Sequence, residues 1–299
     1  STLSSSSAAS DVYKRQAIEA VVIQTDGKNT AQPHGIRRRE LASGDRDVII
    51  KALLATGLFP YLRQRPFSRV ASPDELPRDI FISALNTAPL SPDPNMIVRG
   101  NEEYFARGLE TLSKLTTGRV HLSVEKNRGD LSPAFSGAAG VAIHRFNRLH
   151  PAGTVGVQIH HIAPVRGRND IVWHCPVHGV ITIGRFFATG VLSFETTVAV
   201  TGDAAQRRGC YRVITGTPVR DLAGPVTDPG SKRFISGDPL SGKEAGHDGY
   251  AGFYDNQITV LEEASDATFL GWLAPGLSME SVSGTFLSRL LPRMRSPLT

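Results

Sequence analysis

Residues 140–162 read GVAIHRFNRLHPAGTVGVQIHHI. Their first seven residues, GVAIHRF, have the short apolar character of a buried strand, and TVGVQIHHI carries helical spacing after a Pro- and Gly-bearing turn. Strand, turn and helix in that order are the unit of a sheet with crossover helices, so this stretch places the chain in the α/β class. Pro151 is expected in the first helical turn, where its missing N–H has no cost, and Gly153 and Gly156 permit close approach to a sheet or a ligand. Such an edge is where a doubly wound fold seats a nucleotide, although the GxGxxG spacing is absent here. His160 and His161 are neighbours, so in a helix their rings point roughly 100° apart and need a third element to chelate one ion.

The pattern repeats on both sides. Ser43 is positioned to cap a helix whose apolar stripe is Val48, Ile49, Ile50, Leu53 and Leu54, with Asp45 and Asp47 in its first turn and Gly57 as its stop. DIFISAL at 79–85 reads as a buried strand, and the prolines of NTAPLSPDP (86–94) argue against regular structure after it. A helix is expected over 102–115, then the strand GRVHLSVE, and further on the helix VHGVITIGRFFATG ending at Gly190. Strands alternating with helices predict a Rossmann-like doubly wound sheet over 43–194, covered on both faces.

From about residue 195 the pattern changes to short strands, TTVAVTG, CYRVITG, RFISGD and NQITVLEE, with a short helix PVRDLAG between the second and third. That order predicts a small β-grasp-like domain over 195–265. The Ser-rich opening, 1–16, is expected to be a non-native tail. Residues 17–42 begin with the strand-like AIEAVVI, and 266–299 open a region that stops unresolved, so an internal piece of a longer chain is expected.

Composition excludes several classes. The 299 residues include no apolar run of about 18 residues, so no helical bilayer span is expected. Two cysteines, Cys175 and Cys210, fit no zinc or iron–sulfur spacing. The formal charge of +5 is spread along the chain, and the densest run, Arg37 to Arg39, suits a solvated loop better than a nucleic-acid patch. An anionic lipid surface or acidic partner is the other reading of that charge. His174 and His178 stand four apart, but Pro176 between them makes a shared helical face, and with it a metal site, unfavourable. GDPLSGKEAG (237–246) fails the phosphate-loop pattern GxxxxGK[ST] and reads as a hairpin loop.

The ordered series RQRPFSRV, FISALNTAPLSPDP, FARGLETLSKLTTGRV, HPAGTVGVQIHHIAPV, VWHCPVHGVITIGRFFATG, FISGDPLSG and GWLAPG resembles the A-subunit family of the Na+-translocating NADH:quinone reductases, from about residue 17 to about residue 295. The resemblance implies a peripheral subunit on the cytoplasmic face of a bacterial inner membrane, within a complex that passes electrons from NADH to ubiquinone and exports Na+. It implies that 17–42 hold the remnant of a lipoyl-like barrel, that the second domain is of the soluble-ligand-binding type, and that a helical C-terminal domain is missing. It further implies no catalytic residue, metal or redox cofactor in this chain. NADH oxidation, flavins and iron–sulfur centres then belong to the integral membrane and flavin-carrying partner subunits.

The same resemblance gives LRQRPFSRV a quinone-associated role. Phe67 can stack on a quinone ring while Arg63 or Arg65 donates hydrogen bonds to a carbonyl oxygen that gains charge on reduction, with Pro66 and Ser68 between them. The other reading of these residues is that Phe67 anchors a loop and the arginines bind partner carboxylates. Gln158 stands where the family carries histidine, His161 at an aromatic position, Asn86 for an acid and Gly179 for Asp, which marks a divergent member. Two further readings stay open: an adaptor of a related Rnf-type electron-transport complex without quinone contact, and an independent NAD-dependent enzyme, which predicts NADH binding.

Overall fold

A computed structural model describes Val21, residues 44–226 and residues 228–263. The chain divides into two units, 1–35 and 36–299; both sheets below lie in the second. The expectations for the opening tail, most of the barrel remnant, the Ser43 cap and the C-terminal region lie outside the described residues.

Helix α1, Arg46–Thr56, is capped by Asp45, whose carboxylate accepts from the Asp47 N–H, and Gly57 closes it in the left-handed conformation. Strands β1 (Arg63–Arg65) and β2 (Arg69–Val70) form a tight hairpin, followed by β3 (Ile80–Ala84). The proline-rich loop ends earlier than expected, because α2 (Pro94–Val98) begins at the last of its prolines: Asp93 caps it and Pro94 occupies the first turn, where no N–H is needed. Next come α3 (Glu102–Ser113), β4 (Val120–Glu125), α4 (Pro133–Ser136) and β5 (Ala142–Phe146). Helix α5 is Val155–Ile162, β6 is Val172–Pro176, and α6 (Val177–Thr189) follows β6 without a loop.

These strands make one mixed sheet in the order β2-β1-β6-β3-β4-β5. β6, β3, β4 and β5 are parallel, while β1 runs antiparallel to β6. Alternation assigns the faces. Ile80, Ile82, Leu122, Val124, Trp173 and Cys175 point to one side, where they join α1, α3 and α6 in the main core. Helices α3 and α6 cross there with backbones touching: a methyl group at Gly184 would overlap the Tyr104 carbonyl oxygen, and one at Gly108 would overlap that of Val180.

The opposite face is covered as well, with Phe81, His121, Ser123 and Val172 all buried. Among the described residues its one helix is α5, whose Ile159 packs on Phe81 and Val172. Beside them His121, itself buried, stacks on Phe81, and its Nδ1 lies 2.9 Å from His144 Nε2.

The second sheet comprises β7 (Glu195–Thr201), β8 (Gly209–Ile214), β9 (Lys232–Ser236), β10 (Lys243–Glu244) and β11 (Gln257–Glu262), with α7 (Val219–Ala223) packed against it. Its order is β10-β9-β11-β7-β8, with β11 parallel to β7 and the other pairs antiparallel. Val198, Val200, Val219, Leu222, Phe234, Ile258 and Val260 fill its core. Residues 237–242 connect β9 to β10 as a hairpin loop. The two sheets meet through the segment before β11: Phe253 stacks on Tyr61 at 4.6 Å between ring centres, and the Tyr254 hydroxyl donates to the Pro60 carbonyl at 2.9 Å.

Candidate functional site

In the first sheet the chain runs outward from β3 through β4 to β5, then returns to lay β6 on the other side of β3. A crevice forms at such a reversal, beyond the carboxyl ends of the two strands, because their outgoing connections diverge to opposite sides. A cavity of about 290 Å³ lies at this place. Ser83 and Asn86 after β3, His174 and Pro176 of β6, Val155 of α5, Arg63 of β1, and Tyr254 and Asn256 line it.

Arg63 and Arg65 are one pleat apart on β1 and share the face that carries His174, since Arg63 pairs with His174 across the ladder. The Arg63 guanidinium lies 4.7 Å from the centre of the Tyr254 ring and donates to the Ser68 carbonyl. Arg65 turns toward α5, where its Nη1 is 4.0 Å from the position a Cβ would take on Gly156. Among the described residues neither guanidinium has a carboxylate within 4.0 Å. Burial and the neighbouring Arg63 charge lower the Arg65 pKa.

His174 is held neutral for related reasons: burial first, then Arg65 and Arg63, push its pKa down to about 3. Its Nε2 is buried without a hydrogen-bond partner, as are the Nε atoms of Arg63 and Arg65. His178 also lines the cavity, on α6, with its pKa pushed down to about 4 by burial. The two histidines therefore share no helical face, as expected, but they do share a cavity, because β6 runs straight into α6. Burial raises the Cys175 thiol, so it is no nucleophile at neutral pH.

Pro66, Phe67 and Ser68 form the tip of the β1–β2 hairpin. Phe67 is 72% exposed and both Phe67 (φ 75) and Ser68 (φ 49) adopt the left-handed conformation. A phenylalanine held there costs about 1–2 kcal/mol in backbone strain, with no burial in this chain to offset it. Phe67→Gly is expected to stabilise the chain by roughly 0.5–1 kcal/mol once glycine's greater unfolded-state freedom is subtracted, measured as a rise in the urea midpoint. An unchanged or lower midpoint would mean that the ring packs on something in solution.

Pro151 is displaced from its expected place. It lies in the turn before α5, where Thr154 N–H donates to its carbonyl, and the helix begins only at Val155. The reason is local: the Gly153 N–H is bound to Thr87 Oγ1 at 2.9 Å, which holds 151–153 outside the helix. Gly153 is required by this contact, since a Cβ would stand 2.5 Å from the Thr87 nitrogen, whereas the space over Gly156 is open except for Arg65. His160 and His161 are exposed on α5 with ring centres 5.4 Å apart, and among the described residues no group of three or more His, Cys, Asp or Glu side chains is placed to hold a metal.

The family resemblance brought Arg63 and Arg65 into view and the turn pattern brought Gly156, but Tyr254 and Asn256, which lie about 190 residues beyond the two arginines, were missed. The one signal for them was an aromatic pair, Phe253-Tyr254, between two strands of a domain with few other aromatics.

Residues 44–192 match the family model described as the NqrA second alpha/beta domain. Over 279 residues the chain is 37% identical to the A-subunit of the Na(+)-translocating NADH-quinone reductase of Shewanella denitrificans, covering 93% of this chain and 61% of that protein. For its counterpart in Neisseria meningitidis serogroup B the identity is 36% over 281 residues, covering 93% and 62%. The chain thus spans about 61% of the length of these curated relatives. Among solved structures, the NAD+-reducing NiFe hydrogenase in the air-oxidised state superposes with a TM-score of 0.53 at 16% identity, covering 77% of this chain and 49% of that chain. Its H2-reduced form gives 0.52 at 15%, covering 75% and 48%. At such identity the likeness is one of fold.

Proposed function

Residues 44–192 belong to the NqrA second alpha/beta domain family, and on that premise we propose that the chain works as part of the A-subunit of a Na+-translocating NADH–quinone reductase. Its role there is structural and quinone-proximal. It carries no redox group of its own, and electrons pass from NADH to ubiquinone through flavins and an iron–sulfur centre in partner subunits. The described residues hold no helix long and apolar enough to cross a membrane, which suits a peripheral place on the cytoplasmic face against the integral subunits.

The observation that carries the quinone reading is the hairpin tip. An exposed aromatic ring, Phe67, is held in a strained conformation beside two half-buried arginines that have no carboxylate partner among the described residues. A ring in that position can stack on a quinone head group, and a guanidinium can donate to the carbonyl oxygen on which charge develops.

The test uses the intact complex assembled around the full-length protein. With a photoreactive ubiquinone analogue, labelling of this subunit is expected to fall about 3- to 10-fold in Phe67→Ala, the worth of one aromatic stack, and further in Arg65→Ala. NADH-dependent quinone reduction is expected to be lost when the subunit is stripped from the complex and to return when it is added back. Equal labelling in both variants would remove the quinone contact from this hairpin. Undiminished reduction without the subunit would remove the functional role.

A further inference from the structure

Arginine is long and rich in rotamers, and Arg63 has no ion-pair partner among the described residues, yet its guanidinium has a defined place. Two contacts fix it. Nη2 donates to the Ser68 carbonyl at the hairpin tip, and the group lies over the Tyr254 ring, 4.7 Å from its centre. The first contact belongs to the hairpin and moves with it. The second reaches in from the other sheet. Arg65 stands on the same face of β1 and repels Arg63, so a guanidinium released from the ring would turn away from its neighbour.

Tyr254 is itself held in place. Its hydroxyl donates to the Pro60 carbonyl at 2.9 Å, and its ring meets that of Phe253 edge-on with centres 4.9 Å apart, while Phe253 stacks on Tyr61. Pro60 and Tyr61 lead into β1, so two adjacent aromatic side chains grip both the root of the hairpin and its first arginine. The turn that carries them is pinned to the second sheet: buried Ser236 of β9 accepts from the Gly252 N–H at 2.8 Å and donates to Asp255 Oδ2 at 2.7 Å. Glycine is required at 252, because a Cβ would stand 2.4 Å from that oxygen. An aliphatic side chain at 254 would cover the hairpin root as well, but it has no ring face to attract a guanidinium.

We propose that Tyr254 is a positioning residue for the quinone contact: it holds the Arg63 guanidinium at the hairpin so that Nη1, which makes no hydrogen bond among the described residues, donates to the quinone carbonyl. The proposal rests on the quinone reading of the hairpin and extends it in two ways. It assigns the carbonyl donor to Arg63, and it makes the contact depend on a residue of the second sheet's connecting turn. Tyr254 acts only through Arg63 and touches no quinone itself.

Two measurements test it. In NMR of the isotope-labelled full chain, the Arg63 Nε proton is expected to be displaced by the Tyr254 ring current, and to return toward the ordinary arginine position in Tyr254→Leu but not in Tyr254→Phe. In the intact complex, labelling by the photoreactive ubiquinone analogue is expected to fall about 3- to 10-fold in Tyr254→Leu, the worth of one cation–π contact, and to stay within about twofold of wild type in Tyr254→Phe, which keeps the ring. Arg63→Gln is expected to lower labelling at least as far, and Tyr254→Leu added to it to lower it no further, because the one residue acts through the other. Additive losses in the double variant, a Tyr254→Phe as impaired as Tyr254→Leu, or an Arg63 signal unchanged by Tyr254→Leu would each overturn the proposal. Labelling that answers to Phe67→Ala and Arg63→Gln but not to Tyr254→Leu sinks this assignment alone. Labelling indifferent to all three, with the ring-current displacement intact, removes the quinone reading and this assignment with it. Should Tyr254→Leu fail to fold, as judged by circular dichroism, the wild-type chain decides: its Arg63 proton must move when a short-chain ubiquinone is added, and a signal that stays in place overturns the proposal.

Discussion

Lowering the pH from 7 to 5 is expected to remove about 4 kcal/mol of unfolding free energy, through two buried histidines. In the unfolded chain both rings take up a proton near their ordinary pKa of 6.5; in the folded chain His178 does so only at about 4 and His174 at about 3. Between these values the unfolded state binds more protons, so stability is complete above about pH 6.5 and falls as acid is added. Each group contributes about 1.4 kcal/mol per pH unit within its window, hence about 2 kcal/mol apiece by pH 5. His121 and His144 are also lowered by burial and act in the same direction. The check is urea unfolding at a series of pH values. His178→Phe, which keeps a ring against Tyr61, is expected to flatten the profile by about half, and a loss below 1 kcal/mol between pH 7 and 5 would contradict the assigned burial.

Gly184→Ala is expected to cost about 3 kcal/mol or more, the upper range for overpacking a filled core. The methyl group has no free volume to enter, because it would overlap the Tyr104 carbonyl oxygen on α3, and Gly108 makes the reciprocal approach toward Val180 one turn away. Relief requires the two helices to separate, which opens the core around Phe105, Leu109 and Val180. For a chain of this size that is a fall of about 6–12 °C in Tm. Gly57→Ala is the informative comparison: its φ of 70 is left-handed but no atom lies within 4 Å of the added carbon, so only about 1 kcal/mol of backbone strain is expected. Equal losses in the two variants would mean that helix crossing at Gly184 is looser than described.

These contrasts indicate what a sequence can and cannot disclose. Strands β3, β4 and β5 and helices α3 and α6 were legible because each keeps a period, and burying one or both faces demands it. Strand β6 was hidden: VWHCP carries two polar or ring-closed residues in five, and it is a strand because β3 and β1 on either side hydrogen-bond to it. β1 was hidden more deeply, since Arg-Gln-Arg before proline has no apolar residue at all; its one buried side chain is Gln64, whose Oε1 accepts from the Ser72 N–H. The histidine pair on the second face was also beyond reach, because His121 and His144 sit in runs that read as ordinary buried strands. As for the site, the family resemblance pointed to Arg63 and Arg65 and a local pattern to Gly156, while His174 was weighed as a metal ligand and set aside because of Pro176. What assembles the cavity is the sheet order, and sheet order is a property of contacts distant in sequence.

The aromatic clasp between the sheets bears on where this molecule can be cut. Tyr61 is buried partly by Phe253, and Arg63 is roofed by Tyr254, yet the stretch matching the family model ends at residue 192. A protein trimmed to that stretch keeps every strand of the first sheet but exposes an aromatic surface and unroofs the crevice. The evolutionary segment and the mechanical one have different ends, and the mechanical one reaches at least to Tyr254.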